Sequence, residues 1–301
     1  MIEAGDRDNQ LECMGYAVEM RKQAIEVDAR HYVEEDVDEV VEYLYNIYKG
    51  AFTEKSIRQH FDNYIGFSYA EYTTAVVTAH LPRGSKLLDI GCGFGSTVIA
   101  ARNAGIDATG IEIAPFEVNF AQRRLARMRP QDDPQLVFKQ GDATKLDQPD
   151  TSLDAVTFWN VLEHIEDCEA MLKAAWRMLK PGGRVYIECP NYAAHRLEAH
   201  YHVPWDPELR HDREKAADYL RSQGRDPAYF LTSIFCRTNE EVLSILKGIG
   251  FEPLDIADEM SMALTFRNLP AMLLQPMRFR KFHHPARESI TLVARKPANR
   301  M

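Results

Sequence analysis

The sequence predicts an α/β protein built on a doubly wound, mostly parallel sheet of seven strands, and three observations carry that expectation. Between residues 86 and 190, short apolar strands alternate with helical stretches of about 10–15 residues. The first strand runs straight into a glycine-rich turn and then a helix, in LLDIGCGFGS at 87–96. Glu112 and Asp142 then stand at the ends of the next two strands. With 301 residues, 45% of them hydrophobic and 27% charged, the chain has the composition of a globular protein with a sizeable core.

The elements follow in order. EEDVDEVVEYLYNIY at 34–48 sets Val37, Val40, Val41, Leu44, Tyr45 and Tyr48 at helical spacing, with acids in the first turn. A second helix is expected at about 68–80, and Pro82-Arg83-Gly84 then marks a seam. Residues 1–83 read as a helical N-terminal extension or cap, and 84–301 as the main domain. KLLDIG (86–91) is the first strand and STVIAARNAG a helix ending at Gly105. ATGIEI is the second strand, and PFEVNFAQRRLARM a helix opened by Pro115. LVFKQGD, LDAVTFWN and RVYIECP supply three more strands, with a helix at about 167–180 before the last of them. After this fifth strand the alternation lapses over 191–232, a stretch rich in His, Tyr, Trp and Pro and long enough to read as a lid. TNEEVLSILKGIGF resumes the pattern, with Thr238 as N-cap, Glu241 three residues on and Gly248 or Gly250 closing the helix. EPLDI and SITLVAR complete the sheet.

A net charge of −9 weakens attraction to phosphate backbones and anionic lipids, so neither nucleic acid nor membrane is an expected partner. The basic stretches RRLARMR (123–129) and RFRKFHH (278–284) read as solvated faces. Cys13, Cys92, Cys168, Cys189 and Cys236 are odd in number and form no CxxC pair. The first 30 residues lack a basic start and an apolar middle. Both features point to a reduced, cytoplasmic setting.

The glycine turn bears on ligand chemistry. Glycines at offsets 0, 2 and 4 (Gly91, Gly93, Gly95) depart from the 0, 2, 5 spacing of the dinucleotide fingerprint, and no GKS or GKT is present. A nucleotide-like ligand other than NAD or a nucleoside triphosphate is implied. Glu112 lies 21 residues past Gly91, where a carboxylate can accept from both ribose hydroxyls. Asp142 can accept from an exocyclic adenine amine.

In these motifs, and in AVTFWNVLEHI and LKPGGRVYIECPN that follow them, residues 60–256 resemble the class I S-adenosylmethionine-dependent methyltransferases, whose sheet is the Rossmann-like methyltransferase fold. The resemblance implies S-adenosylmethionine as cofactor. By it, Asp89 and the turn at Gly91 and Gly93 would hold the methionine part, Glu112 the ribose, and Asp142 with Ala143 the adenine, with Cys92, Gly95 and Ile113 also counted among the cofactor-binding residues. Asn160 would offer its carbonyl to the methionine amine, and Tyr64 an aromatic cover.

Methyl transfer is an in-line displacement that mainly needs positioning, and a base only where the acceptor carries a proton. Four of the ten histidines (His195, His200, His202 and His211) fall within 195–211. His200 and His202, placed on one side of an extended segment by their alternate positions, are the expected catalytic residues. His164 in NVLEHI is the next candidate, facing the pocket floor or capping a helix. Tyr192, His195 and Trp205 are the expected substrate contacts, and the acceptor is expected to be a small molecule. Two histidines with Asp206 or Glu198 could bind a divalent ion, but no recognised metal-site spacing is present and no metal is expected. A homodimer is compatible with the sequence. The rival readings are a cyclase or aminocarboxypropyl transferase that releases methylthioadenosine, and a cofactor-binding pseudoenzyme acting as an interaction subunit.

Overall fold

A computed structural model describes residues 34–48, 51, 57, 60, 61, 63–254 and 288–298. Residues 1–33 with Cys13, the basic stretch 278–284 and the last two residues of EPLDI lie outside them.

The sheet has seven strands in the order β3-β2-β1-β4-β5-β7-β6. They are β1 (Lys86–Ile90), β2 (Asp107–Glu112), β3 (Phe138–Gln140), β4 (Leu153–Trp159), β5 (Leu179–Pro190), β6 (Glu252–Pro253) and β7 (Ser289–Arg295). The first five run parallel, and β7 is antiparallel to both β5 and β6. β1 is buried on both faces. Leu87 packs into the cluster of Val98, Ile99 and Val118, while Leu88 and Ile90 pack into the opposite cluster of Leu172, Val242 and Leu246. This is why its apolar residues do not simply alternate, and even Asp89, the one polar residue between Leu88 and Ile90, is buried. Because β1 pairs with β2 on one side and β4 on the other, the strand order reverses there, and a crevice opens at the carboxyl ends.

Helices α1 (Glu34–Tyr48) and α2 (Ser68–Thr78) precede the sheet. Val37, Val40, Val41 and Leu44 of α1 are buried against Phe94 and Phe120. α3 (Ser96–Asn103) follows the glycine turn, and α4 (Pro115–Met128) opens with its proline in the first turn, as expected. A short helical turn, α5 (Pro134–Val137), takes up Leu136 and Val137, so the strand read from LVFKQGD is only Phe138–Gln140. Asp133 caps that turn through Gln135 N, and Pro134 favours its first position. α6 (Cys168–Met178) then leads into β5.

The segment after β5 contains a 3₁₀ turn and the helices α7 (Arg213–Ser222) and α8 (Ala228–Ser233), around a core of its own made by Tyr192, Tyr201, Trp205, Ala216, Leu220 and Phe230. α9 (Asn239–Ile249) has the anticipated capping box between Thr238 and Glu241, and Gly250 closes it at φ +112°. Among the described residues no helix is long and apolar enough to cross a membrane, and Cys92, Cys168, Cys189 and Cys236 are unpaired.

The stretch RRLARMR is not a solvated face. Arg124 is 1% exposed and donates to Ile65 O (2.5 Å) and Ser96 Oγ (2.7 Å). Arg123 pairs with Glu39, Arg127 with Asp36, and Arg129 with Asp132. Charge composition alone could not reveal these partners, because two of the acids lie 84 and 91 residues away on α1.

Candidate active site

A cavity of about 1000 Å³ lies at the reversal point. Its first half is the glycine turn. Gly91 has φ +69°, and a Cβ there would stand 2.5 Å from Val161 Cγ2, so both conformation and packing demand glycine. Gly91, Cys92 and Gly93 line the cavity. Gly95 does not. It is the left-handed residue at the start of α3, where a Cβ would collide with Phe138 and Ala121, so its expected ligand role is corrected to a packing role. The Cys92 thiol is pushed well up by burial and by the nearby Asp89 carboxylate, which suits a packing residue and not a nucleophile.

Asp89 and Glu112 reach the same rim. Asp89 is 2% exposed and accepts from the Thr157 hydroxyl at 2.6 Å; burial, opposed by that hydrogen bond, pushes its carboxyl up to about 7. The Glu112 carboxylate accepts from the backbone N–H groups of Ile113 (2.7 Å), Ala114 (2.9 Å) and Gly93 (3.2 Å), and thereby ties the end of β2 to the turn after β1. Glu117, which sequence reasoning passed over, joins them under the Tyr43 hydroxyl (3.0 Å), its carboxyl raised to about 8 by burial and by Glu112. Asp142 is held below the usual carboxylate range by the Thr144 hydroxyl and N–H and by Lys145. Ile113, Ala143 and Asn160 also line the cavity, and Asn160 takes φ +57° just past β4.

Asp89 supplies a stability prediction. Its carboxyl loses the proton near 3.8 when unfolded and near 7 when folded, so the folded state holds more protons between those values and stability falls as pH rises through them. Asp89→Asn removes that penalty and keeps an oxygen for Thr157. Its melting temperature, measured against wild type, should gain a few degrees between pH 5 and pH 8; an unchanged difference would show that Asp89 ionises as freely in the folded protein as in the unfolded chain.

Tyr64 lines the cavity from the N-terminal side. Its carbonyl accepts from Ser96 Oγ at 2.7 Å, and the next carbonyl accepts from Arg124, so the chain is fixed directly against the start of α3.

The other half of the cavity is aromatic and imidazole-rich, lined by Tyr48, His60, Tyr229, His164, His195, His200 and His202, with Glu163 among them. Rings of Tyr48 and His60 lie 5.1 Å apart, as do those of Tyr48 and Tyr229 and those of His164 and His200. Burial, reinforced by His200, holds the imidazoles of His60 and His164 down to about 3 and 4. Glu163 is pushed up to about 7 by burial.

His164, His195, His200 and His202 all line this cavity, but His200 and His202 do not reach it from an extended segment. Residues 198–203 form a tight turn closed by the bridge Leu197–Pro204, and His202 sits at φ +53°, so no extended segment aligns the two histidines. The turn is organised by Glu198, a fully buried carboxylate that accepts from His200 N (2.7 Å), Tyr201 N (2.5 Å) and the Tyr192 hydroxyl (2.6 Å), with His200 Nδ1 at 3.3 Å. Burial works to lower the His200 pKa, but the Glu198 carboxylate overrides it and the net shift is upward.

Tyr192 and Trp205 do not line the cavity. Both are buried in the core of the post-β5 segment, their rings 5.7 Å apart, because each large side chain has more apolar surface to bury there than at a wet cleft. Asp206 caps the following 3₁₀ turn through Glu208 N, and Glu198 is occupied by its donors, so the histidine–Asp206 or histidine–Glu198 metal set is not assembled. Glu163, His60 and Tyr229 are not marked by any motif, and Glu198 stands out in the sequence only as a candidate metal ligand, not as the organiser of this turn; the glutamate of LEH beside a noted histidine is the one available signal.

Residues 88–185 match the model of a family described as Methyltransferase domain. The chain is 30% identical over 137 residues to the ubiquinone biosynthesis O-methyltransferase of Idiomarina loihiensis, covering 44% of this chain and 55% of that protein. It is 38% identical over 108 residues to the 27-O-demethylrifamycin SV methyltransferase of Amycolatopsis mediterranei, covering 36% of this chain and 39% of that protein. The matched stretch thus spans about half or less of these relatives. A Haemonchus contortus phosphoethanolamine N-methyltransferase solved with phosphomonomethylethanolamine and S-adenosylhomocysteine superposes with a TM-score of 0.53 at 17% identity, over 86% of this chain and 58% of that one, which is a likeness of fold. The glycine turn lies inside the matched stretch, so residues 88–185 carry a methyltransferase domain, and the sheet, in which only β7 is reversed among the long strands, is the Rossmann-like methyltransferase fold.

Proposed function

We propose that this protein binds S-adenosylmethionine at the glycine turn and transfers its methyl group to a small-molecule acceptor held at the histidine end of the same cavity. The observation that carries the reading is continuity: one cavity runs from Asp89, Gly91, Glu112 and Asp142 to His164, His200 and Tyr229. A donor and an acceptor bound there face each other without crossing solvent, which is what in-line displacement needs.

In the reaction the acceptor's heteroatom forms the new bond to the methyl carbon, the carbon–sulfur bond breaks, and the sulfonium becomes a neutral thioether. The acceptor's proton leaves toward the polar end. Glu112 orients the ribose, Asp142 the adenine, and the post-β5 segment closes over the acceptor as a lid. The described lining contains eight carboxylate side chains (Asp89, Glu112, Glu117, Asp142, Glu163, Glu166, Asp167 and Glu188) and no lysine or arginine. Burial keeps Asp89, Glu117 and Glu163 partly protonated near neutral pH, but the remaining carboxylates favour the cationic sulfonium, and the described lining offers no lysine or arginine to pair with an acceptor's phosphate or carboxylate. A neutral hydroxyl-bearing or amine-bearing acceptor therefore fits better, and the O-methyl chemistry in the name of the Idiomarina relative agrees with the first of these.

The test is an untargeted mass comparison of a metabolite mixture incubated with methyl-labelled cofactor, with and without the protein. Label on a neutral or cationic small molecule together with adenosylhomocysteine supports the reading. Release of methylthioadenosine would replace it by cyclase or aminocarboxypropyl chemistry, and no turnover across broad mixtures would favour a cofactor-binding interaction subunit.

A further inference from the structure

Three side chains at the acceptor end converge in a way that methyl transfer alone does not require. Glu163, His164 and His200 each offer one ligand atom, and these atoms lie within 4.8 Å of one another. Glu163 is 1% exposed and its Oε2 has no hydrogen-bond partner, although a buried carboxylate oxygen left unsatisfied is costly. Both imidazoles are held from behind. His164 Nδ1 is 2.7 Å from Ser233 O, and His200 Nδ1 is 3.3 Å from Glu198 Oε1. A carbonyl behind one ring and a carboxylate behind the other select the Nδ1–H tautomer and present Nε2 forward, the arrangement that orients ligating histidines.

We propose that Glu163, His164 and His200 bind a divalent transition-metal ion of the zinc type at the acceptor end of the cavity. Two imidazole nitrogens and one carboxylate oxygen suit such an ion, whereas magnesium and calcium prefer all-oxygen shells. Three protein ligands leave a coordination position open toward the cavity, where the heteroatom of a hydroxyl or amine acceptor can bind and lose its proton more readily. Bonds of about 2 Å to a shared ion would tie the turn carrying His200 to the 3₁₀ turn Leu162–His164 that follows β4, and so join lid to sheet. The use made of the open position rests on the methyl-transfer reading; the binding of the ion does not.

The test uses the full chain, freed of metal by chelation and titrated calorimetrically with Zn²⁺, with Co²⁺ absorption as a second probe of the ligand set. One equivalent is expected to bind at micromolar or tighter affinity, and Co²⁺ to show the visible bands of a four- or five-coordinate site. E163Q and H200Q should each weaken Zn²⁺ binding at least tenfold while adenosylhomocysteine affinity stays within twofold of wild type, which certifies the fold. If either variant fails to fold, H164Q is read by the same two titrations. Absence of Zn²⁺ binding, or equal affinity in wild type and the variants, overturns the proposal. Zn²⁺ binding lost in the variants, in a protein that turns over no S-adenosylmethionine, would keep the ion site and sink the methyl-transfer reading. Full methyl transfer by a protein that binds no ion would do the reverse.

Discussion

Glu112→Ala is expected to weaken adenosylhomocysteine binding by a hundredfold or more. The carboxylate is the only side chain at the end of β2 able to accept from both ribose hydroxyls, and charge-assisted bonds of that kind contribute roughly 1.5–3 kcal/mol each. It also has a second job that sequence reasoning did not foresee: by accepting from Gly93, Ile113 and Ala114 it holds the glycine turn in shape before any ligand arrives. Alanine removes both the acceptor and the preorganisation. Asp142→Asn should be far milder, since an amide oxygen still accepts from an adenine amine and still caps Thr144. Calorimetric titration of both variants checks the pair, and an affinity for Glu112→Ala within twofold of wild type would show that the ribose is held elsewhere.

Glu198→Ala should have the largest effect on stability. The carboxylate is fully buried and is the common acceptor for two backbone N–H groups and the Tyr192 hydroxyl. Deleting it strands three donors away from water, at a cost of about 1–3 kcal/mol apiece. A fall in melting temperature on the order of 10 °C follows for a chain of this size, with hydrogen-exchange protection lost first around Tyr192–Trp205. Glu198→Gln, which keeps one acceptor oxygen, should lie between alanine and wild type. A midpoint for the alanine variant within 2 °C of wild type would mean that this turn is organised by its apolar core and not by the carboxylate.

Both predictions rest on the same kind of group, a carboxylate whose surroundings decide its role, and the two were not equally legible. Glu112 announces itself because it ends a strand at a set distance from a glycine turn, and strand ends in a parallel sheet all open onto one edge. Glu198 lies in a stretch with neither period nor motif. Its four contacts come from residues at 192, 200 and 201, brought together by a turn whose left-handed His202 has no sequence signature comparable to glycine. Tyr192 and Trp205 went astray for a related reason: aromatic residues in a polar segment read equally well as pocket walls or as a local core, and only the packing of α7 and α8 against them settles which.

By itself, the amino-acid sequence determined the sheet. Apolar runs bounded by glycine and proline, and helices at 3.6-residue spacing between them, impose right-handed crossovers and hence the edge where Asp89, Glu112 and Asp142 assemble. Local rules are enough there because each signal and its consequence lie within one strand–turn–helix unit. The acceptor end was decided only by tertiary structure. Glu163 and His164 follow β4, His60 precedes α2, His200 and Tyr229 belong to the post-β5 segment, and the arginines of α4 find Asp36 and Glu39 on α1. Contacts between residues that are tens of positions apart depend on how buried surface is shared among packed elements, and that sharing leaves no period in the chain.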